Sequence, residues 1–456
     1  MKMKSVYCYM LAGLMLSASS CSSWLSEDDA PVMSYDYYET EAGVNAAITA
    51  AYGFLRWGVG GERFDVLTEL GTDLFTEGED GSNRESYNKY ATQLNPDDGI
   101  LYEMWENHYK GISDANIAMQ KIRDSQDLLE SVKIQSYAEM QFIRAYLYFD
   151  LVQQFGRIPL VTEGSFEIRT DFKRAPIADV YNVIISDLRN AAENLPEKAS
   201  VLGRATRYSA AHLLAKVYLT RGSAVKDARG QKATDMDSTL YYAEQVINSG
   251  AYALQENFSS LWDIKNQGNS EAVFAVQFTT EPMFNGDGNK QHLYWLSWYE
   301  DQPGMLRDIE NGRHVATKKT MDDLFDRLHD SRFYKSFKWV YYANNVSTLP
   351  VWESLSYDGN VYFTPDPSKG QIEGELKFQH GDTAIYYTMQ ETGLASNSDE
   401  MRKLRADYTY SYFPREMHSI RYFPSLVKYL DPSRPSVSEE KGSREWVRMR
   451  LGETYL

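Results

Sequence analysis

The segment from Ser136 to Phe155 is apolar on more than one side, and it limits the possible folds more than any other part of the chain. Ala138, Phe142, Ala145, Phe149 and Val152 follow at spacings of three and four, while Ile143, Leu147 and Leu151 form a second stripe. A helix that is greasy all round must be enclosed by neighbours, and Gly156 and Pro159 mark its end. The neighbours are legible. Thr40 is a plausible N-cap for a helix with Val44, Ala47, Ile48, Ala51, Tyr52 and Leu55 in line. Leu101 to Ile122 forms another, with Trp105, Tyr109, Ile112, Asn116 and Met119 on one stripe.

A regular array follows. Pro176 opens a helix carrying Val180, Ile184, Leu188, Ala191 and Leu195, and Pro196 stops it. Tyr208 to Thr220 and Ser238 to Asn248 come next, ending near Gly222 and Gly250. Helix pairs with Ala at close-contact positions look like tetratricopeptide-type repeats, and Ala145 and Ala215 stand about two 34-residue periods apart. From about Glu271 the character changes. Residues 272–278 have strand composition, and Gly, Asn, Asp and aromatics then dominate to about Tyr429, broken by prolines and by one expected helix, Thr320 to Leu328. Gly58 to Asn95 and Met283 to Arg313 read as helix-free loops presented by the scaffold, where binding residues concentrate. The expected fold is mainly α: a tetratricopeptide-like helical-repeat scaffold over 35–456 with a loop-rich, partly β ligand-binding part at about 271–430.

The first 20 residues have the layout of an export signal: Lys2 and Lys4, an apolar run from Val6 to Leu16, then small residues ending on Cys21. The run is too short to span a bilayer. Cys8 leaves with the signal, so the mature chain keeps one thiol and forms no internal disulfide. A Cys directly after the cut resembles the lipobox of bacterial lipoproteins, in which that thiol is acylated, for example with palmitate; such an anchor holds a protein on a membrane without a spanning helix. Residues 21–34 read as a flexible tether, and their acidic residues Glu27, Asp28 and Asp29 resemble those that accompany display on the outer surface. Loss of Lys2 and Lys4 moves the net charge from −17 to −19, which argues against nucleic acid as a partner.

Tyr137-Ala138-Glu139-Met140-Gln141-Phe142-Ile143-Arg144-Ala145-Tyr146-Leu147-Tyr148-Phe149-Asp150-Leu151-Val152, followed by Phe155-Gly156-Arg157-Ile158-Pro159-Leu160, resembles the signature of the SusD/RagB family. Thr40-Glu41 into Ala50-Ala51-Tyr52 is similar to its first helix, Glu69 to Asp73 to its acidic turn, Gly203 to Thr206 to the start of its central repeat helix, and Asp330-Ser331-Arg332-Phe333 to its central Asp-x-Arg. The resemblance implies a surface-exposed lipoprotein of the outer membrane that captures oligosaccharides and delivers them to a SusC-like TonB-dependent transporter. Peptide capture is the alternative within binding, and a glycan-cleaving enzyme the alternative outside it. In the family, a segment like Arg450 to Leu456 opens a longer helix, which leads to the expectation of a truncated C-terminus.

Catalytic patterns are absent: no His-Glu-x-x-His, no Gly-x-Ser-x-Gly, no phosphate loop. Asn285 to Asn289 begins like a calcium loop, but its twelfth position is Leu296. The seven His lack zinc-ligand spacing. The reading is therefore a binding protein without cofactor or metal. Its candidate ligand residues are aromatic, since a sugar lays its C–H face on a ring while nearby polar groups bind the hydroxyls. They are Trp295, Trp298 and Tyr299, then Trp339 and Tyr341, then Phe75, Tyr87 and Tyr90 with Asp73 at the acidic turn.

Overall fold

A computed structural model describes residues 40–58, 61–79, 84–91, 94–165, 169–226, 228–306 and 313–456. The signal segment, Cys21 and the tether lie outside the described residues. Six long helices appear where the apolar stripes place them: α1 (Glu41–Gly53), α2 (Gly99–Asp124), α3 (Glu130–Phe155), α4 (Ile177–Asn194), α5 (Arg207–Gly222) and α6 (Asp235–Ile247). Their starts have chemical causes. The Thr40 hydroxyl accepts from Gly43 N at 3.1 Å, the Asp98 carboxylate accepts from Ile100 N at 2.8 Å, and Thr206 and Ser209 form a reciprocal capping box. Gly156 closes α3 with φ of +67°, a conformation only glycine adopts freely. From α2 to α6 each helix packs on the next, and α1 lies on α2 and α3. As its two stripes require, α3 is enclosed from Ala138 to Val152.

The signature segment works as a set of internal ties. Asp187 of α4 receives Arg144 Nε and Nη2 at 2.8 Å each and Gln141 Nε2 at 2.9 Å. Arg144 Nη1 donates to Asn116 of α2 at 2.7 Å and to Thr162 O at 3.0 Å. Tyr148 OH donates to Val161 O at 2.7 Å and accepts from Val161 N at 2.8 Å. On the other side of α3, Glu139 accepts from Tyr52 OH of α1 at 2.7 Å, and Tyr52 OH accepts from Ala205 N at 2.7 Å. Glu139, Gln141, Arg144 and Tyr148 of α3 are thus each spent on a neighbouring segment.

The remaining chain forms small sheets. Ala272–Val276 pairs antiparallel with Trp446–Arg450 and caps the helical core, which includes Val273, Phe274, Met449 and Leu451. Val340–Tyr342, Thr383–Tyr387 and Ser411–Phe413 make a three-stranded sheet, with the last two strands parallel. Phe75–Glu77 pairs with His314–Ala316, and Phe337–Lys338 with Ser425–Leu426. Two further hydrophobic clusters lie between these pieces. The closing residues dock on α5, where Lys216 Nζ meets Glu453 at 2.8 Å and His212 Nδ1 meets Thr454 Oγ1 at 2.8 Å.

Two local expectations need correction. Thr320 to Leu328 is not one helix: a single turn spans Lys318–Asp322, and the next helix is Arg332–Ser336. The reason lies in the acids between them. Asp326 Oδ1 accepts from Leu328 N at 3.1 Å and Asp330 Oδ1 from Arg332 N at 2.9 Å, side-chain turns that compete with helix propagation. The two segments read as helix-free contain the short helices Arg63–Thr68, Glu85–Lys89 and Gln291–Tyr294, with Pro282–Asn285 at the edge of the second. The calcium-like run 285–289 is a brace. Asn285 and Asn289 donate to Gly442 O at 3.2 Å and Arg444 O at 2.8 Å, and Lys441 donates to Gly286 O at 2.6 Å.

Breaking the Arg144–Asp187 pair strands a buried charge. Asp187→Ala should cost about 3–5 kcal/mol in chemical unfolding, and Arg144→Met combined with Asp187→Leu should cost less than Asp187→Ala alone.

Candidate functional site

The predicted aromatics divide sharply by exposure. Trp295, at 1% exposed, is core. Tyr429 stacks on it at 4.7 Å, Phe75 meets it edge-on at 4.7 Å, and its indole N–H donates to Gln291 Oε1 at 2.9 Å. Neither face is open to a ligand. Tyr299 and Tyr341 are also buried and stack on each other at 4.9 Å, with the Lys338 ammonium 3.9 Å from the Tyr341 ring. Tyr87 packs with Val66 and Leu70 and donates to Asp98. For these residues the expectation of a ligand platform fails, because each ring is already packed against other side chains of the interior.

The acidic turn is exposed but occupied. Asp73 pairs with Lys319 at 2.8 Å, and Lys319 holds its carboxyl below the usual range. Tyr90 adopts φ of +53° and is 71% exposed, its hydroxyl donating to Gly71 O at 3.1 Å. Trp298 is half-buried beneath the Arg421 guanidinium, 4.3 Å from its ring, which is itself paired with Glu79 and Asp301.

Trp339 is placed differently. It sits between Phe337–Lys338 and Val340–Tyr342, and its indole N–H donates to Tyr334 O at 3.0 Å. Phe333 and Phe337 pack against it at 5.3 and 5.9 Å, and Tyr334 lies at 5.8 Å. This fixes the indole at the wall of an open cavity of about 630 Å³ lined by Arg327, Leu328, Tyr334, Trp339, Tyr386 and Gln390 among others. Tyr334 is half exposed and Leu328 almost fully so. Two rings held at an angle, an adjacent third and an amide form the flat apolar platform with few polar groups that a sugar needs.

The rings continue beyond the cavity. Tyr386 meets Tyr410 edge-on at 5.9 Å, and Tyr408 stacks on Tyr412 at 4.2 Å. Beside them lies a smaller hollow of about 230 Å³ with Tyr362, Arg402 and Arg405 in its wall. Sequence reasoning missed Tyr334, Tyr386, Tyr408 and Tyr410. The alternation Tyr408-Thr409-Tyr410-Ser411-Tyr412 was the available signal, since a period of two lines one face of a strand with rings. A second large cavity, about 450 Å³, is less suited to a ligand. Three of its charged groups are committed, Arg415 to Asp322 at 2.8 and 2.9 Å, and Glu416 to Gly393 N at 2.8 Å and the Thr392 hydroxyl at 3.0 Å, while Lys318 and Glu391 also stand in its wall.

Beneath Trp295 lies a buried polar cluster of Glu62, Asp65 and His314. His314 Nε2 is 3.8 Å from Glu62 Oε2 and 3.9 Å from Asp65 Oδ2, while Arg313 and Arg84 pair with Glu62. Burial pushes the Asp65 carboxyl up to about 7. Burial, with the charges of Arg84 and Arg313, pushes the His314 imidazole down to about 3. No group of three or more His, Cys, Asp or Glu placed to hold a metal occurs among the described residues, nor does a helix long and apolar enough to cross a membrane.

Comparison with known proteins agrees with this architecture. Residues 33–219 match a SusD-like family model described as starch-binding and associating with the outer membrane. SusD-like protein P25 of Formosa agariphila is 24% identical over 86% of this chain and 77% of its own length. Its P2 counterpart from the same organism is 29% identical over 60% of this chain, which spans 53% of that protein. Among solved structures, a laminarin-binding SusD-like protein superposes with a TM-score of 0.61 at 21% identity, covering 91% of this chain and 79% of that one. A SusD-superfamily protein from Parabacteroides distasonis gives 0.62 at 20% identity, with 91% and 74% covered.

The Asp65 value generates a pH test. Its folded value, about 7, lies above the ordinary 3.8, so the stability it contributes is full below about pH 4 and lost as pH rises through 7. Asp65→Asn should therefore melt higher than wild type at pH 8, with the gain gone at pH 4; thermal melts at the two pH values measure it.

Proposed function

We propose, on the premise that the chain belongs to the SusD/RagB family, that it is a surface lipoprotein anchored through Cys21. In this reading it captures oligosaccharides and hands them to a SusC-like TonB-dependent transporter. The protein is a binder and not an enzyme. The observation that carries the reading is the open cavity whose wall is built from Tyr334, Trp339 and Tyr386. Binding at such a wall needs no catalytic pair; the rings supply contact area and Gln390 a hydrogen-bonding group. The similar proteins named for laminarin and starch support a glycan as ligand. The row of tyrosines from Tyr386 to Tyr408 extends the platform beyond one or two sugar rings, which suits a polymer. The rigid helical array behind α3 leaves the loop-rich part to vary with the ligand.

Two experiments test the reading. In affinity electrophoresis on glycan gels, the protein should be retarded without depleting the polysaccharide. Tyr334→Ala and Trp339→Ala should each weaken binding by about 1–3 kcal/mol, with aromatic–base stacking as the nearest analogue, or roughly tenfold to a hundredfold in Kd. Trp295→Ala should instead cost about 3–5 kcal/mol of stability. Equal glycan binding by wild type and the Trp339 variant would remove the cavity from the mechanism. For the anchor, Cys21→Ala should release the protein from the outer-membrane fraction, and retention there with surface protease sensitivity would contradict lipidation.

A further inference from the structure

We infer that the saccharide taken by the aromatic cavity is anionic, bearing a carboxylate or a sulfate; this rests on the reading of that cavity as a glycan site. The chain as a whole is strongly acidic, with a formal net charge of −17, and its surface repels anions at long range. The cavity, like the smaller hollow beside Tyr408, departs from that balance. Its lining contains the guanidinium of Arg327 and, among the described residues, no carboxylate. At physiological ionic strength, charges beyond about 8 Å are largely screened, so the local cation decides what the cavity holds.

Arg327 comes from an acid-rich segment, yet the acids around it are committed elsewhere. Asp322 receives both Arg415 nitrogens at 2.8 and 2.9 Å. Asp326 Oδ2 lies 2.7 Å from His329 Nδ1, and Asp330 binds Arg332 at 2.6 Å. Asp323 interacts electrostatically with Lys319. Arg327 itself, half-buried, makes no hydrogen bond or close ion pair among the described residues and meets Asp322 only through a longer-range charge interaction. A partly buried guanidinium with no hydrogen-bonding partner there, beside a platform of rings, is a charged donor held ready. Its planar fork matches the two oxygens of a carboxylate or sulfate, while Tyr334 and Trp339 take the face of the same or the next sugar.

The cavity of about 450 Å³ shows the contrast. There the one guanidinium in the wall, Arg415, is neutralised by Asp322, and Glu391 and Glu416 also face the space. It offers an anion no uncommitted arginine.

The test is affinity electrophoresis of the full mature protein on two sets of gels, polygalacturonate, alginate and chondroitin sulfate against starch, laminarin and xyloglucan. Retardation is expected on at least one anionic gel, weakening when salt is raised; whether uronate or sulfated gels respond separates the two anions. Arg327→Met should lose about tenfold to a hundredfold in affinity there, and Arg327→Lys should retain part of it. Since Arg327 makes no hydrogen bond or close ion pair among the described residues, both variants should melt close to wild type, which separates loss of binding from loss of fold. Retardation on neutral gels alone, unchanged in Arg327→Met, would overturn the anionic inference and keep the glycan reading. No retardation on any gel would overturn both.

Discussion

Asp187 is the point on which the helical half turns. A carboxylate buried between α3 and α4 is costly to leave unpaired, and Arg144 and Gln141 together satisfy its oxygens with three hydrogen bonds. The remaining guanidinium nitrogen is fixed by Asn116 and by a loop carbonyl, so α2, α3, α4 and the segment after α3 are held in one register. Hydrophobic contact alone would permit α3, apolar on two sides, to rotate among its neighbours. A fully satisfied ionic network permits one arrangement, because any other leaves a charge in the core.

The polar letters of the signature therefore describe the scaffold and not the ligand. Glu139, Arg144 and Tyr148 each reach a different segment, and none lines the aromatic cavity. A motif can thus announce a family on structural grounds while remaining silent about what its members hold. The loop-rich part follows other rules: its clusters are small, and its turns are set by Asp and Asn side chains bonding to nearby backbone. Such turns are local, so each can be altered without disturbing the helical array.

The six helices could be read in advance because a period of 3.6 leaves a trace in one dimension, and caps such as Thr40 and Gly156 sharpen the ends. The cavity could not. Trp295 and Trp339 are both tryptophans in aromatic-rich segments. What separates them is whether Tyr429, distant in sequence, covers the ring. Clustering along the chain finds rings; it does not report which are already covered by other rings. The helix expected through Leu328 is absent for a related reason, since Asp326 and Asp330 bond to backbone nearby and an apolar period does not register such turns. Trp339 is legible as an aromatic in an aromatic-rich run, whereas Tyr334, from the helix Arg332–Ser336, and Tyr386, from the strand Thr383–Tyr387, join its wall only through packing.

The strand Ala272–Val276 closes the helical core only when Trp446–Arg450 lies beside it. These partners are separated by most of the loop-rich half; Glu271 and Arg450, which pair beside them, stand 179 residues apart, so closing this contact carries a large loop entropy. During synthesis, the five-helix stack from α2 to α6 precedes the strand that completes its apolar cap. Helices form locally without that strand, but the core closes only with it. A polypeptide built in this order keeps that core open until the strand Trp446–Arg450 has emerged.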